Sequence, residues 1–441
     1  MKKQIELSGL LKILDKNLEN LPDKRKKSNN QKYSVKDAVN AAFSVFFTQC
    51  PSFLEHQKMM RTNKGKDNGQ SLFKIEKIPC DNQIRKLLDP IPASTIFGTF
   101  YQGYKLLKSS GIIKQYKYLG EELLIGLDGT EYFSSKKINC PHCNCRKHRN
   151  GTVTYFHGVV LPTIVSPLQN KVINLEPEFI KKQDGYNKQD CENAAVKRWL
   201  KNNLAQKYSE NVTLLGDDLY SHESIINLAK KQGYNFIFVA KNTSHFNLYD
   251  WLEFLEKSGE VKTLEKKLWD GKKNLTYYYR YLNNVPLTDS DNSILVNWCE
   301  VKVIESKTSK IIYQNSWITN HIINDDNVVN IVKAGRSRWK LENEGNNVLK
   351  NHGYNLEHNF GHGEEHLCEF LLCLNLLSFL FHTILDLVNS LYQQVRNFLK
   401  TRRTFFNDLR ALLRYHYFES WDSLFIFILT EGDSRDLFNS C

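Results

Sequence analysis

Three stretches far apart in the chain each carry a carboxylate suited to holding a divalent metal. Leu-Leu-Ile-Gly-Leu-Asp-Gly-Thr contains Asp128, Val-Thr-Leu-Leu-Gly-Asp-Asp contains Asp217, and Arg-Trp-Lys-Leu-Glu contains Glu342. The first two are apolar runs of strand length that stop at an acid, which sets a carboxylate at the tip of a buried strand. The third lies in a segment that reads as a helix. Hard ions such as Mg²⁺ or Mn²⁺ take oxygen ligands, and two of them roughly 4 Å apart can clamp the attacking and leaving oxygens of a phosphoryl transfer. A single strand-end Asp is commonly just a turn former. Three acids in this order on a basic chain point to chemistry instead. Asp217 and Asp218 are neighbours, and successive strand side chains face opposite ways. Asp217, first after the apolar run and Gly216, is the expected ligand.

A second constellation is Cys140-Pro141-His142-Cys143-Asn144-Cys145-Arg146-Lys147-His148. Zn²⁺ prefers four thiolate or imidazole ligands, which Cys140, Cys143, Cys145 and His148 could supply locally. A more usual arrangement takes Cys140 and Cys143 with two ligands from elsewhere. Thiolates suit Zn²⁺ and not Mg²⁺, so this cluster is expected to be structural.

Around the third acid, Arg336, Arg338 and Lys350 could grip phosphate, although Arg338 and Glu342 are four residues apart and could equally pair on one helix face. His358, His362 and His366 repeat every four residues and read as polar or DNA contacts more than as a metal face. Near the C-terminus Arg396, Lys400, Arg403, Arg410 and Arg414 form one basic helical stripe, from which Arg403 and Arg410 are candidate contacts to DNA backbone.

The elements that must position these groups follow from hydrophobic patterning. Residues 1–110 are lysine-rich and helix-leaning, with a helix expected over Val35 to Phe47, a short helix from Asp81 stopped by Pro90, and a polar arm from Lys24 to Lys32. Strand-like runs at Leu123–Leu127, Tyr155–Leu161, Val212–Leu215 and Phe236–Ala240, with helices at Asn193–Leu204 and His222–Lys231, fit a mixed sheet flanked by helices. From about Lys262 to Trp317 the runs Leu275–Arg280, Leu295–Val303 and Ile311–Trp317 read as a β-rich insertion between the second and third acids, after which the chain is helical. The expected organisation is a helical, basic DNA-binding region at 1–110, a catalytic core at 111–245 and 326–395, an insertion at 246–325 and a helical C-terminal region at 396–441.

The bulk numbers favour a polyanionic partner: 441 residues carry a net charge of +12, and the pI is near 9.0. The N-terminal residues lack a signal-peptide core, so a cytoplasmic location is expected. Phe370 to Leu385 contains no charged residue but is short for a span, and Asn375, Ser378 and His382 interrupt it; it reads as a buried helix rather than a membrane segment. Ten cysteines in such a chain argue for thiols and metal rather than disulfides.

Across roughly residues 75–425 the motifs resemble those of DDE transposases of bacterial insertion sequences, the IS-four type with a β-rich insertion and a Tyr-Arg-Glu-Lys signature. The resemblance rests on Gly126-Leu-Asp-Gly-Thr130, Gly216-Asp-Asp-Leu-Tyr220, Arg336-Ser-Arg-Trp-Lys-Leu-Glu-Asn-Glu-Gly345 and Leu349-Lys-Asn-His-Gly-Tyr-Asn-Leu-Glu-His358 with Gly361-His-Gly363. It implies a ribonuclease H-like α/β core in which Asp128, Asp217 and Glu342 bind two Mg²⁺ ions, cut double-stranded DNA at the terminal inverted repeats of an element and join the freed 3′-hydroxyl to target DNA, with a homodimer in the DNA complex and a nucleoid-associated location. Two positions depart from the signature. Its tyrosine falls on Gly335, and Lys350 follows Glu342 by eight residues instead of seven, a rotation of about 80° on an α-helix against about 20°. The competing expectations are a catalytically inactive DNA-binding relic or regulator and a nuclease that cuts without joining.

Overall fold

The computed structural model describes residues 5–19, 21–26, 31–181, 191–202, 207–208 and 210–431. Residues 27–30 of the expected arm and residues 203–204 of the expected helix at Asn193–Leu204 lie outside the described residues. The fold is mixed α/β, a sheet of parallel and antiparallel strands flanked by helices.

Strands β1 (Leu123–Gly126), β8 (Val212–Gly216) and β9 (Asn235–Val239) are apolar runs buried almost throughout, as central parallel strands must be. They pair in parallel, β1 with β8 and β8 with β9. On the other side of β1 the short antiparallel strands β5 (Thr163–Val165) and β6 (Ile173–Asn174) complete one edge. Beyond β9 the antiparallel strands β13 (Ile311–Thr319), β12 (Leu295–Glu305), β11 (Asn274–Pro286) and β10 (Lys262–Trp269) follow, so the order is β10-β11-β12-β13-β9-β8-β1-β5-β6. The β-rich segment is therefore hydrogen-bonded directly onto β9 and extends the sheet.

A second, smaller sheet holds β2 (Gly129–Ser135), β4 (Val153–Val160) and β3 (Asn144–Lys147), with β7 (Glu178–Ile180) against β4. This corrects the expectation that Tyr155–Leu161 belongs to the main sheet. The chain bends at Leu161-Pro162, where a proline cannot extend a ladder, and β5 takes the place beside β1. Asp128 sits at the corner where β1 passes into β2, and its carbonyl accepts the Leu161 amide at 3.0 Å.

Helix Leu367–Val388 is the one described helix long and apolar enough to cross a membrane, and 83% of its most apolar window is buried inside the protein. Helices Val35–Phe47 and Phe97–Ser109 pack against it, with Phe43 edge-on to Phe381 at 5.4 Å. N-terminal and C-terminal helices meet in this layer, since Asn68 on helix Asn63–Phe73 bonds the carbonyls of Leu413 and His416 and the amide of Phe418. The basic stripe expected near the C-terminus is broken. Helices Ser390–Phe398 and Arg402–Tyr415 are separate, with Lys400 between them at φ +55°.

The N-terminus of helix Leu367–Val388 needs partners for its first amides. Asp89, from the turn after helix Asp81–Leu88, supplies them: its carboxylate accepts the amides of Glu364, Glu365, His366 and Leu367 at 3.0–3.2 Å. Replacing Asp89 by Ala leaves the Glu364, Glu365 and Leu367 amides without this acceptor, while the His366 amide keeps the carbonyl of residue 89, and a loss of about 2 kcal/mol is expected. Urea denaturation of wild type and Asp89→Ala measures it; an unchanged midpoint would show that the carboxylate does not hold the helix.

Candidate functional site

Two parallel neighbours bring the first two acids together. Gly126 of β1 is level with Leu215 of β8, and Asp128 and Asp217 each follow two residues later, so the register carries them to the same level on strands about 4.8 Å apart. Asp217 opens the turn Asp218–Tyr220 and accepts the Leu219 amide at 2.9 Å. Asp218 faces the other way. It accepts the Lys241 amide at 2.7 Å and the Ser244 hydroxyl, and lies 3.4 Å from His245 Nε2.

Glu342 arrives on a π-helical segment, Leu341–Asn346, that continues as helix Asn347–Asn351. Three contacts fix this segment over β1. Leu341 packs on Gly126, where an added Cβ would stand 2.8 Å from Leu341 Cδ1. The buried Lys340 donates to the carbonyls of Ser166, Pro167 and Gln169 at 2.9, 3.1 and 2.6 Å. Asn346 Nδ2 donates to Asp128 Oδ2 at 3.0 Å. Arg338 stands between the first and third acids, its Nη1 3.7 Å from Asp128 Oδ1 and its Nη2 donating to Glu342 Oε1 at 2.8 Å. The i,i+4 pairing open from sequence is thus present, and the Glu342 side chain remains 52% exposed.

The π-helix bears on the spacing of Lys350. A π turn holds one more residue than an α turn, so eight residues through it advance about as far as seven on a regular helix. Leu349, the seventh residue after Glu342, is fully buried, while Glu342 is exposed and Lys350 is partly so. Lys350 thus returns toward the Glu342 face, with its Nζ 2.8 Å from Glu357. At Gly335 the other departure is steric. A Cβ there would stand 2.7 Å from Trp317 Nε1 and 3.0 Å from Ile237 Cγ2, so the backbone packs where a larger residue would collide with an indole.

A fourth carboxylate joins the group. Glu192, first residue of helix Glu192–Lys201, accepts the Gly129 amide at 3.1 Å and the Tyr220 hydroxyl. Nothing in its sequence surroundings marks it, because its partners come from two other elements. The consequence falls on Asp128, whose carboxyl is pushed up to about 7 by burial and by the charges of Glu192, Glu342 and Asp217, against the pull of Arg338. Among the described residues, no three of these acidic oxygens lie within 4.8 Å of one another. Among the described residues, the group of three or more Cys, His, Asp or Glu donors lying within 4.8 Å of each other is Cys140, Cys143, His157 and His362.

That cluster revises the local ligand set. Cys140 and Cys143 face His157 of β4 and His362 of the loop before helix Leu367–Val388. Cys145 and His148 are elsewhere: Cys145 lies on β3 opposite Tyr155, and His148 Nε2 contacts Thr154 Oγ1 at 2.8 Å. The cause is strand pairing. Asn144 is level with Phe156, so the preceding Cys143 meets His157, the next residue of the antiparallel partner. His358, His362 and His366 share no helix face, since residues 352–366 are non-helical; His362 alone turns to the thiols.

The remaining basic candidates divide. Arg403 is exposed, and the Arg336 guanidinium lies 4.2 Å over the Tyr313 ring. Arg410, expected on DNA, instead donates to the carbonyls of Thr48 and Gln49 at 2.9 and 2.8 Å and to Asn407. It closes the C-terminal end of helix Val35–Phe47, where carbonyls lack intrahelical partners. Comparison with models of known families and with characterised proteins returns no match.

The raised Asp128 value gives a pH dependence. Between the ordinary Asp range and pH 7 the unfolded chain has lost this proton while the folded chain keeps it, so stability from this group falls as pH rises through that window and levels off above it. Asp128→Asn removes the repulsion, so it is expected to raise the melting temperature at pH 8 and to change it little at pH 4 in metal-free buffer. Thermal melts at the two pH values check this; a variant destabilised at pH 8 would contradict it.

Proposed function

We propose that the chain is a DDE-type DNA transposase that cleaves DNA at element ends and transfers the strands to target DNA, dependent on Mg²⁺ or Mn²⁺. The observation that carries this reading is the convergence of Asp128 and Asp217 from adjacent parallel strands with Glu342 from the helix laid across β1, at a point where burial and the charges of the other carboxylates raise the proton affinity of Asp128. Such mutual repulsion is what a divalent cation relieves. The donors are oxygens alone, in keeping with a hard ion. Bound there, the ions would supply Lewis acidity and would activate a water, or the 3′-hydroxyl of the cleaved DNA, as the nucleophile.

The chain's own groups divide the other tasks. Asp128, Asp217 and Glu342 hold the ions. Arg338, already tethered between two of the acids, and Lys350, on the Glu342 side of its helix, offer charge to phosphate. Asn346 fixes the orientation of Asp128 through its amide. The strand order β6-β5-β1-β8-β9, with β5 antiparallel and β8 and β9 parallel, supports a ribonuclease H-like core. The net charge of +12 suits a DNA partner, with contacts spread over Arg336 and Arg403 as well.

The test uses DNA flanking the gene, incubated with wild-type protein, Asp128→Asn and Glu342→Gln, with and without Mg²⁺. Metal-dependent nicks at repeat tips and joined products are expected for wild type, with at least about a hundredfold loss in each variant. Binding without nicking under every condition would replace this reading with that of an inactive DNA-binding protein. Nicking without joining would make it a nuclease.

A further inference from the structure

The geometry points to a structural Zn²⁺ site made by Cys140, Cys143, His157 and His362, which staples the segment after the first acid to the segment after the third. Tetrahedral zinc with ordinary bond lengths separates its ligand atoms by about 3.8 Å between sulfurs, about 3.5 Å between sulfur and nitrogen and about 3.3 Å between nitrogens. The observed separations are 3.8 Å for Cys140 Sγ to Cys143 Sγ, 3.5 and 3.3 Å from His157 Nε2 to those sulfurs, 3.4 Å from His362 Nε2 to Cys143 Sγ, and 3.1 Å between the two Nε2 atoms. Four side chains from three separate segments thus already span one tetrahedron.

Hydrogen bonding among themselves is a poorer account of the cluster. His362 Nδ1 lies 2.9 Å from the Gly363 carbonyl. A carbonyl only accepts, so Nδ1 carries the proton and Nε2 presents a lone pair to the sulfurs and to His157. This is the outer contact that usually orients a metal-bound histidine. The Cys140 amide points at Cys143 Sγ at 3.4 Å, and the Cys143 amide returns to the Cys140 carbonyl at 3.1 Å, a tight turn that aims both thiols one way. Tyr132, Phe133 and the buried Cys143 close the inner side, with Phe133 4.4 Å from the His362 ring.

The ligands explain what the site would do. Cys140 and Cys143 follow β2, which begins directly after Asp128. His362 follows the helix that carries Glu342. Cys143 and His362 are 219 residues apart, and joining them fixes the loop that delivers the Asp89-capped helix. Neither the ligands nor this role requires the acidic site to be catalytic.

Full-length protein expressed with added zinc is expected to hold about one zinc ion per chain by mass spectrometry. His362→Ala is expected to lose it, while Cys145→Ser and His148→Ala retain it. Should His362→Ala fail to fold, Co²⁺ substituted into wild type decides: tetrahedral bands with charge-transfer intensity for two thiolates support this site, and intensity for three supports the local Cys140, Cys143, Cys145 and His148 set. Removing zinc is also expected to speed hydrogen exchange in residues 359–366. Wild-type protein that holds neither zinc nor cobalt, or zinc lost in His148→Ala but kept in His362→Ala, would overturn the assignment.

Discussion

Leu341 rests on the backbone of Gly126, in space that even a methyl group on that glycine would invade. This contact, with Lys340 locked to three carbonyls beside it, sets the height and rotation of the Glu342 helix above β1. The geometry of the acidic site follows from it. The parallel register of β1 and β8 is local to the sheet and would place Asp128 near Asp217 regardless. Only the close approach at Gly126 brings the third acid, Arg338 and Asn346 to the same corner. The π-helical turn is part of this arrangement, since it lets Leu341 and Leu349 both face inward while Glu342 and Lys350 stay on the outer side.

Two constellations of opposite chemical character lie close together along the chain. The acidic one is hard and open, its charges repelling one another around Asp128 with Arg338 as the resident counter-charge. The Cys/His one is soft, compact and largely buried. Ligand chemistry separates them: oxygens suit Mg²⁺ or Mn²⁺, and thiolates with imidazoles suit Zn²⁺. β2 links the two, running from Asp128 toward the cysteines.

Much of this was legible in sequence where the signal is local. The buried strands carrying the first two acids, the helix at Val35–Phe47, the strands of the β-rich segment and the burial of the helix around Phe370–Leu385 all announce themselves by periodicity or by apolar runs. What escaped depends on contacts between distant segments. His157 and His362 reach the two thiols through strand pairing and a loop 205 residues further on, so spacing could offer Cys145 and His148 by number but could leave the alternative, two partners from elsewhere, only unnamed. Glu192 reaches the Gly129 amide, and so brings its charge to bear on Asp128, only because helix and strand pack. Arg410 looked like part of a DNA-binding stripe because charge is visible in sequence, whereas the two carbonyls it caps are not. The bend at Leu161-Pro162 is marked in sequence by its proline, but nothing local says that the strand before it and the strand after it join different sheets.

The most direct measurement is anomalous diffraction from crystals of the metal-free protein soaked in Mn²⁺ at pH 8. The account predicts anomalous density among Asp128, Asp217 and Glu342, absent in Asp128→Asn crystals. Density confined to the Cys140 and His362 cluster, or none at the three carboxylates, would contradict it.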